Sequence, residues 1–228
     1  LLYDTGPLSG AGADAGARVV LPYLQAIGVN RIDTLVVSHR DQDHSGGTAS
    51  IRAALPVGRV LTSITDLGGE NCIVGQSWDW DGVHFSVLHP LATDYQIAGK
   101  KTNNMSCVLR IASANDSILL TGDVEAVDED ALIARSPGGL ASRVLVVPHH
   151  GGKGSSSPEF VAAVAAQDVI FSAGYRNPFR HPRPEVLERY AASRQWRTDR
   201  DGAVRVVRGA AGVVSAWRQT RPRYWQGQ

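Results

Sequence analysis

Cysteine is scarce: Cys72 and Cys107 are the only two in 228 residues. That is too few for a disulfide scaffold, and their spacing matches no CxxC metal or redox motif. One bridge between them and two free thiols both stay open. Long apolar runs are also missing. No window approaches the ~18 consecutive apolar residues of a membrane helix, so no membrane span is expected in these residues. There is no internal repeat, low-complexity tract or convincing linker. With 43% hydrophobic and 20% charged residues, the composition is that of a folded globular chain rather than a disordered or fibrous one. A single domain over residues 1–228 is the expectation. No initiator Met and no signal-peptide pattern opens the chain. Leu1-Leu2-Tyr3-Asp4 already reads as strand, as expected of a piece of a longer protein whose sheet lacks its first strand or strands.

The net charge of +1 conceals an asymmetry. From Arg176 onward there are twelve Arg, no Lys and four acids, a balance of +8, against -7 for residues 1–175. A basic last quarter suits a polyanionic partner. A solvated arginine-rich face is the competing reading.

Short apolar runs ending in polar or Gly-rich residues predict strands at Leu1–Tyr3, Leu35–Val37, Val83–Leu88, Cys107–Ile111, Ile118–Leu120, Val144–Val147 and Val169–Phe171. Helical spacing of apolar residues predicts helices within Ala17–Ile27, Thr48–Leu55, Pro158–Ala166 and Pro184–Ser193, with Ser157 as an N-cap ahead of Pro158. Thr34–Val37 and Val144–Val147 lack polar alternation, which predicts burial on both faces. Val83–Leu88 and Val204–Val207 read as half-exposed antiparallel strands. Strands mixed with amphipathic helices predict a layered α/β fold.

The unusual polar residues gather where these strands end. Asp4-Thr5-Gly6 follows the first. His39-Arg40-Asp41-Gln42-Asp43-His44 follows Thr34–Val37, with Gly46-Gly47 behind it. Thr121-Gly122-Asp123 follows Ile118–Leu120, and Pro148-His149-His150-Gly151 follows Val144–Val147. The run to His181 follows Val169–Phe171. Ligands of open α/β sheets bind at the carboxyl ends of the strands, so these segments are expected to share one site. Two imidazoles and two carboxylates within six residues are costly to hold together without cations. Alternate members of such a loop can serve two divalent ions about 3.5–4 Å apart. Adjacent His149 and His150 point to opposite sides. His149 is taken as the ligand, with His150 behind it or donating a proton. His84 and His89 lack clustered partners and read as structural.

Together these motifs resemble the metallo-β-lactamase fold. The Asp41 variant, with Asp4-Thr5-Gly6-Pro7, Asn104-x-Ser106, Asn177-x-x-Arg180-His181-Pro182 and Thr198-Asp199-x-Asp201-Gly202, resembles the carboxy-terminal domain of the ComEC/Rec2 competence proteins. The resemblance implies an αββα sandwich with a dinuclear centre. His39 and Asp41 would serve one ion and Asp43 and His44 the other, with Asp123 bridging and His149 and His181 completing the shells. It further implies a domain of a membrane channel, on the extracellular or periplasmic side of the inner membrane. There the domain would degrade the DNA strand that is not transported. Two departures stand out: Asp41 replaces a histidine, and Asn103-Asn104 occupies the region where the superfamily carries another. These harder donors make Mn²⁺ or Mg²⁺ credible beside Zn²⁺.

The expected activity is metal-dependent hydrolysis of a DNA phosphodiester. Asp43 would orient the nucleophile and His150 protonate the departing oxygen. Asn104, Ser106, Lys153, Ser155, Arg176 and Arg180 are the candidate substrate contacts, and Tyr175 and Phe179 are candidates for stacking on bases. A DNA-guiding module without turnover, or a hydrolase of a small phosphodiester or lactone, are the alternatives.

Overall fold

The computed structural model describes residues 1–207 and 213–222. The chain divides into two compact units, one of residues 1–76 and 87–108 and the other of residues 77–86 and 109–228. Among the described residues no helix is long and apolar enough to cross a membrane.

The first unit carries a four-stranded, all-parallel sheet of β1 (Leu2–Tyr3), β2 (Ile32–Val37), β3 (Val57–Thr62) and β4 (Glu70–Asn71), in that spatial order. Its helices are α1 (Leu21–Ala26), entered through a wider turn at Gly16–Val20, and α2 (Thr48–Ala54). Leu35, Val36 and Val37 are all at most 1% exposed, as the unbroken apolar run of β2 leads one to expect. Leu21, Ile32, Leu35, Val37, Ile51 and Ile64 form one apolar cluster. β1 and β2 pair Tyr3 with Val36, so Asp4 and Ser38 leave the sheet at the same edge. The loop after β2 then folds back against the Asp4–Pro7 segment. A Cβ on Gly46 would meet the Leu8 nitrogen at 2.3 Å, and one on Gly47 would meet the Thr5 carbonyl at 2.4 Å. Only glycine permits that approach. Thr5 secures it, donating from its amide (2.8 Å) and its hydroxyl (2.9 Å) to the His44 carbonyl. The two cysteines are joined as a Cys72–Cys107 disulfide within this unit.

The second unit carries the larger sheet, apart from residues 87–89 and 108 at the ends of two of its strands. Its strands are β5 (Ser77–Trp80), β6 (Val83–His89), β7 (Val108–Ser113), β8 (Asp116–Leu120), β9 (Val144–Val146), β10 (Asp168–Phe171) and β11 (Arg194–Arg197), spatially in chain order. β5–β6 and β7–β8 are antiparallel, while β8 to β11 run parallel. A ribbon of β12 (Val204–Val207) and β13 (Val213–Ala216) is antiparallel and half exposed. Helices α3 (Ala126–Arg135), α4 (Pro158–Val164) and α5 (Pro184–Arg189) supply the crossovers. Ser157 caps α4 as its sequence suggests, accepting from the Phe160 amide at 3.2 Å. Leu119, Leu132, Val144, Leu145, Phe160 and Phe171 are fully buried. Leu120 pairs with Val146, and Val146 with Ile170. The segments that follow, carrying Asp123, His149–His150 and His181, therefore leave at a common carboxyl edge.

Candidate metal centre

In the first unit, β2 delivers Ser38 and His39 to the sheet edge. Asp41 then opens a single helical turn, Gln42–Ser45, which turns Asp43 and His44 back towards His39. The rings of His39 and His44 lie 4.2 Å apart between centroids. His39 is wholly buried, as is nearly all of His44, while the Asp41 and Asp43 side chains are 43% and 49% exposed. Each imidazole faces one carboxylate: His39 Nε2 stands 3.7 Å from Asp41 Oδ2, and His44 Nε2 stands 3.8 Å from Asp43 Oδ2.

Behind these donors sits a hydrogen-bonded frame. Asp4 Oδ1 accepts from the Ser38 amide (2.7 Å), and its Oδ2 from the Ser38 hydroxyl (2.9 Å) and lies 2.7 Å from His44 Nδ1. A carboxylate on Nδ1 fixes the tautomer and leaves the Nε2 lone pair forward, as in metal-ligating histidines. Asp4 does this with φ at 58°, a conformation tolerated where the surroundings enforce it. The Ser38 hydroxyl also stands 3.0 Å from His39 Nδ1. The Thr102 hydroxyl donates to Asp41 Oδ1 at 2.6 Å, which leaves Oδ2 on the side of His39.

The second unit presents a second donor set. Asp123, its side chain 5% exposed, has Oδ2 3.5 Å from His150 Nε2 and 3.9 Å from His149 Nε2. His150 Nδ1 lies 2.6 Å from the Ser172 carbonyl. A carbonyl only accepts, so Nδ1 carries the proton and Nε2 offers its lone pair towards Asp123. The sequence reading puts His149 forward as ligand. The structure brings both histidines to Asp123 and sets His150 the closer. It does so with consecutive left-handed residues, φ 52° at His149 and 55° at His150, a strained path that turns both side chains out of the strand direction. His181 stands beside them, its ring centroid 5.6 Å from that of His149. Burial first, then the neighbouring His149 and His150, hold its imidazole below the usual histidine range. It is thereby kept neutral and able to ligate.

These four nitrogen–oxygen separations, 3.5 to 3.9 Å, are too long for hydrogen bonds. The shortest lies within, and the other three slightly above, the ~3.3–3.6 Å edge between two ligands bonded to one cation at 2.0–2.2 Å in tetrahedral geometry. Donor type and spacing both fit divalent cations.

The proposed substrate contacts divide. Lys153, Arg176 and Arg180 are exposed. The Asn104 carbonyl lies 3.0 Å from His89 Nε2, with its side-chain oxygen buried, and His89 is structural as expected. Two serines need correction. Ser106 is fully buried, its hydroxyl 3.4 Å from His39 Nδ1, so it backs the histidine. Ser155, 1% exposed, donates to the carbonyls of Pro148 and Gly152 and ties the loop that follows the histidines. Neither faces outward: Ser155 sits in a Gly/Ser-rich turn whose hydroxyls serve the backbone first, and Ser106 stands at the buried entry to β7. The sequence reading passed over Asp4 and Thr102 as buttresses. It also passed over Glu129 of α3, fully buried, which accepts from the Ser156 and Ser157 amides at 2.5 and 2.7 Å.

A family model for the metallo-β-lactamase superfamily matches residues 1–174. The chain belongs to that superfamily. Its relatives carry the resemblance on to the ComEC/Rec2 branch. Competence protein ComA of Neisseria gonorrhoeae is 36% identical across 99% of this chain and 32% of its own length. Recombination protein 2 of Haemophilus influenzae is 37% identical across 83% of this chain and 23% of its own. The chain thus spans about a third or less of these curated relatives. Among solved structures, the E377D mutant of the CmlA β-hydroxylase shares the fold. Its TM-score is 0.50 at 14% identity, over 74% of this chain and 43% of that one.

Proposed function

We propose that this domain is a metal-dependent phosphodiester hydrolase that cuts DNA during its uptake, removing the strand that is not transported. The observation carrying it is the pair of buttressed histidine–carboxylate sets, each at the carboxyl edge of a sheet and each spaced for a divalent cation. Two such cations, Zn²⁺ or Mn²⁺ with Mg²⁺ also suited, would be held by His39, Asp41, Asp43 and His44 in one unit. Asp123, His150, His149 and His181 would serve in the other. Bound divalent cations supply Lewis acidity and bring water to the edge of ionisation near neutral pH. The protein's share is to hold Nε2 of His44 and His150 forward through Asp4 and the Ser172 carbonyl, to keep His181 neutral, and to place the half-exposed Asp43 carboxylate where it can orient a water. Relatives named for competence and recombination support DNA as the substrate. They equally support attachment to a membrane-channel portion of the parent protein. The Cys72–Cys107 bridge supports a place on the oxidising, extracellular or periplasmic side.

A DNA-guiding module without turnover is the second reading, favoured by Asp41 standing half exposed where the superfamily carries a histidine. One experiment separates the two. Metal-stripped protein is given labelled single- and double-stranded DNA with Zn²⁺, Mn²⁺ or Mg²⁺ in turn, alongside Asp43→Ala/His44→Ala. Cleavage restored by a cation and lost in the variant, by at least about 10²-fold, is the expected result. Cation binding with no cleavage by any of the three would leave the guiding role.

A further inference from the structure

Between β10 and α5 the second unit exposes two large aromatic rings. Tyr175 is 68% and Phe179 69% exposed, the most exposed large hydrophobic side chains among the described residues. The loop bearing them is braced. The Asn177 amide donates to the Gly174 carbonyl (3.2 Å), and the Arg180 amide to the Asn177 carbonyl (3.1 Å). The Asn177 side chain then closes the loop, donating to the carbonyls of Gly174 (3.0 Å) and His181 (2.7 Å) and accepting from the His181 amide (2.9 Å). Arg176 and Arg180 both hold left-handed backbones, φ 51° and 56°, which fixes the directions of the residues beside them. A loop tied at both ends by one side chain and still carrying two exposed rings is built to show those rings.

The charges around the rings are of one sign. From Ser172 to Pro184 there are three arginines and no acid. The guanidinium groups of Arg176 and Arg180 have no hydrogen-bond or ion-pair partner among the described residues, and that of Arg176 lies 5.2 Å over the Tyr175 ring. Phe179 in turn leans against the candidate metal ligand His181, ring centroids 5.8 Å apart and 30° between planes. Flat apolar faces beside unpaired guanidinium groups suit a ligand that alternates flat rings with phosphates.

We propose that Tyr175 and Phe179 form a stacking platform for unpaired bases, with Arg176 and Arg180 taking the flanking phosphates. The domain then engages single-stranded nucleic acid at the His181 side of its metal centre. A duplex keeps its bases stacked on one another and would leave both rings bare. This deepens the phosphodiesterase reading and rests on it for the identity of the substrate, but binding can be tested without turnover.

The test is fluorescence anisotropy of the wild-type chain and Tyr175→Ala/Phe179→Ala in EDTA, so that no strand is cut. The probes are a labelled 15-nucleotide single strand, a hairpin duplex, and an abasic strand of the same charge. Wild type should prefer the single strand, and the double variant should lose about tenfold or more on it. Little should change on the hairpin or the abasic strand, and Tyr175→Trp/Phe179→Trp should keep the preference. Equal losses on all three probes, or no loss on the single strand, would overturn the platform. Anionic vesicles (phosphatidylserine in phosphatidylcholine) form a further arm. Loss of vesicle binding with single-strand affinity unchanged would give the rings to a membrane surface and also overturn the proposal. Absent cleavage with the platform effect intact would instead fault only the hydrolase reading.

Discussion

At the scale of single residues, the site shows how far a side chain's type reveals its task. His39, Asp41, Asp43 and His44 were legible because four ionisable groups in one short loop have no cheap purely structural explanation. Asp4 is as important to the geometry and far less visible: one carboxylate after a two-residue strand. Its role appears only when β1 lies beside β2 and brings it to Ser38 and His44. Replacing Asp4 with Ala should weaken cation binding by about 10–100-fold by freeing the His44 ring, while helix and sheet content persist. A chelator-competition titration with circular dichroism in parallel measures both, and unchanged affinity would remove Asp4 from the frame. Ser106 and Ser155 show the opposite error. A hydroxyl can face a phosphate or its own backbone, and nothing local in the sequence says which. Their burial does. The order of His149 and His150 was equally undecidable from sequence, since two consecutive left-handed residues break the alternation that strand logic assumes.

At the scale of elements, apolar runs located the central strands well, because β2, β9 and β10 are buried on both faces and their sequences cannot carry polar alternation. What escaped were elements whose composition blurs the signal. β11 (Arg194–Arg197) is an edge strand with two arginines, which pair with Asp168 and Asp199. Helix α3 reads as an acidic stretch, because Asp128, Glu129 and Asp130 crowd its first turns. Two of those acids are buried: Asp128 accepts from the Glu125 amide at the start of the helix, and Glu129 accepts from two amides of the loop that links the histidines to α4. Burial is the leading influence on its carboxyl and raises it above the usual carboxylate value. The folded chain therefore binds this proton more tightly than the unfolded one. The associated stability is fully present below the unfolded value, near 4.5, and is lost as pH rises through the raised folded value. In Glu129→Gln that slope should vanish. Urea midpoints measured from pH 4.5 to 7.5 should thus fall more steeply for wild type than for the variant. Parallel curves would mean that Glu129 titrates alike folded and unfolded.

At the scale of the whole molecule, the uneven charge was evident from counting, but counting could not say which arginines are available to a partner. The structure sorts them. Arg194 bonds to Asp168, Arg197 to Asp199 and Arg200 to Asp201 at 2.7–2.8 Å. Arg189 donates to the Ser155 and Ser156 carbonyls, and Arg218 to those of Asp199 and Arg200. These cations neutralise acids or tie backbone within the second unit, so much of the basic excess serves the fold. Arg176 and Arg180 do not. Counterion release makes each phosphate contact on a single strand contribute about 0.7 to the slope of log affinity against log salt. Arg176→Gln/Arg180→Gln should therefore flatten that slope by about 1.4, with little effect on melting temperature. Arg194→Gln/Arg200→Gln, removing the same two charges, should instead lower the melting temperature and leave the slope nearly unchanged. Anisotropy titrations on a single-stranded oligonucleotide from 50 to 300 mM salt, with thermal melts of the same samples, compare the two pairs directly. If both pairs flattened the slope equally, the polyanion would be sensing the net charge of the basic quarter, and the loop between β10 and α5 would have no special claim on it.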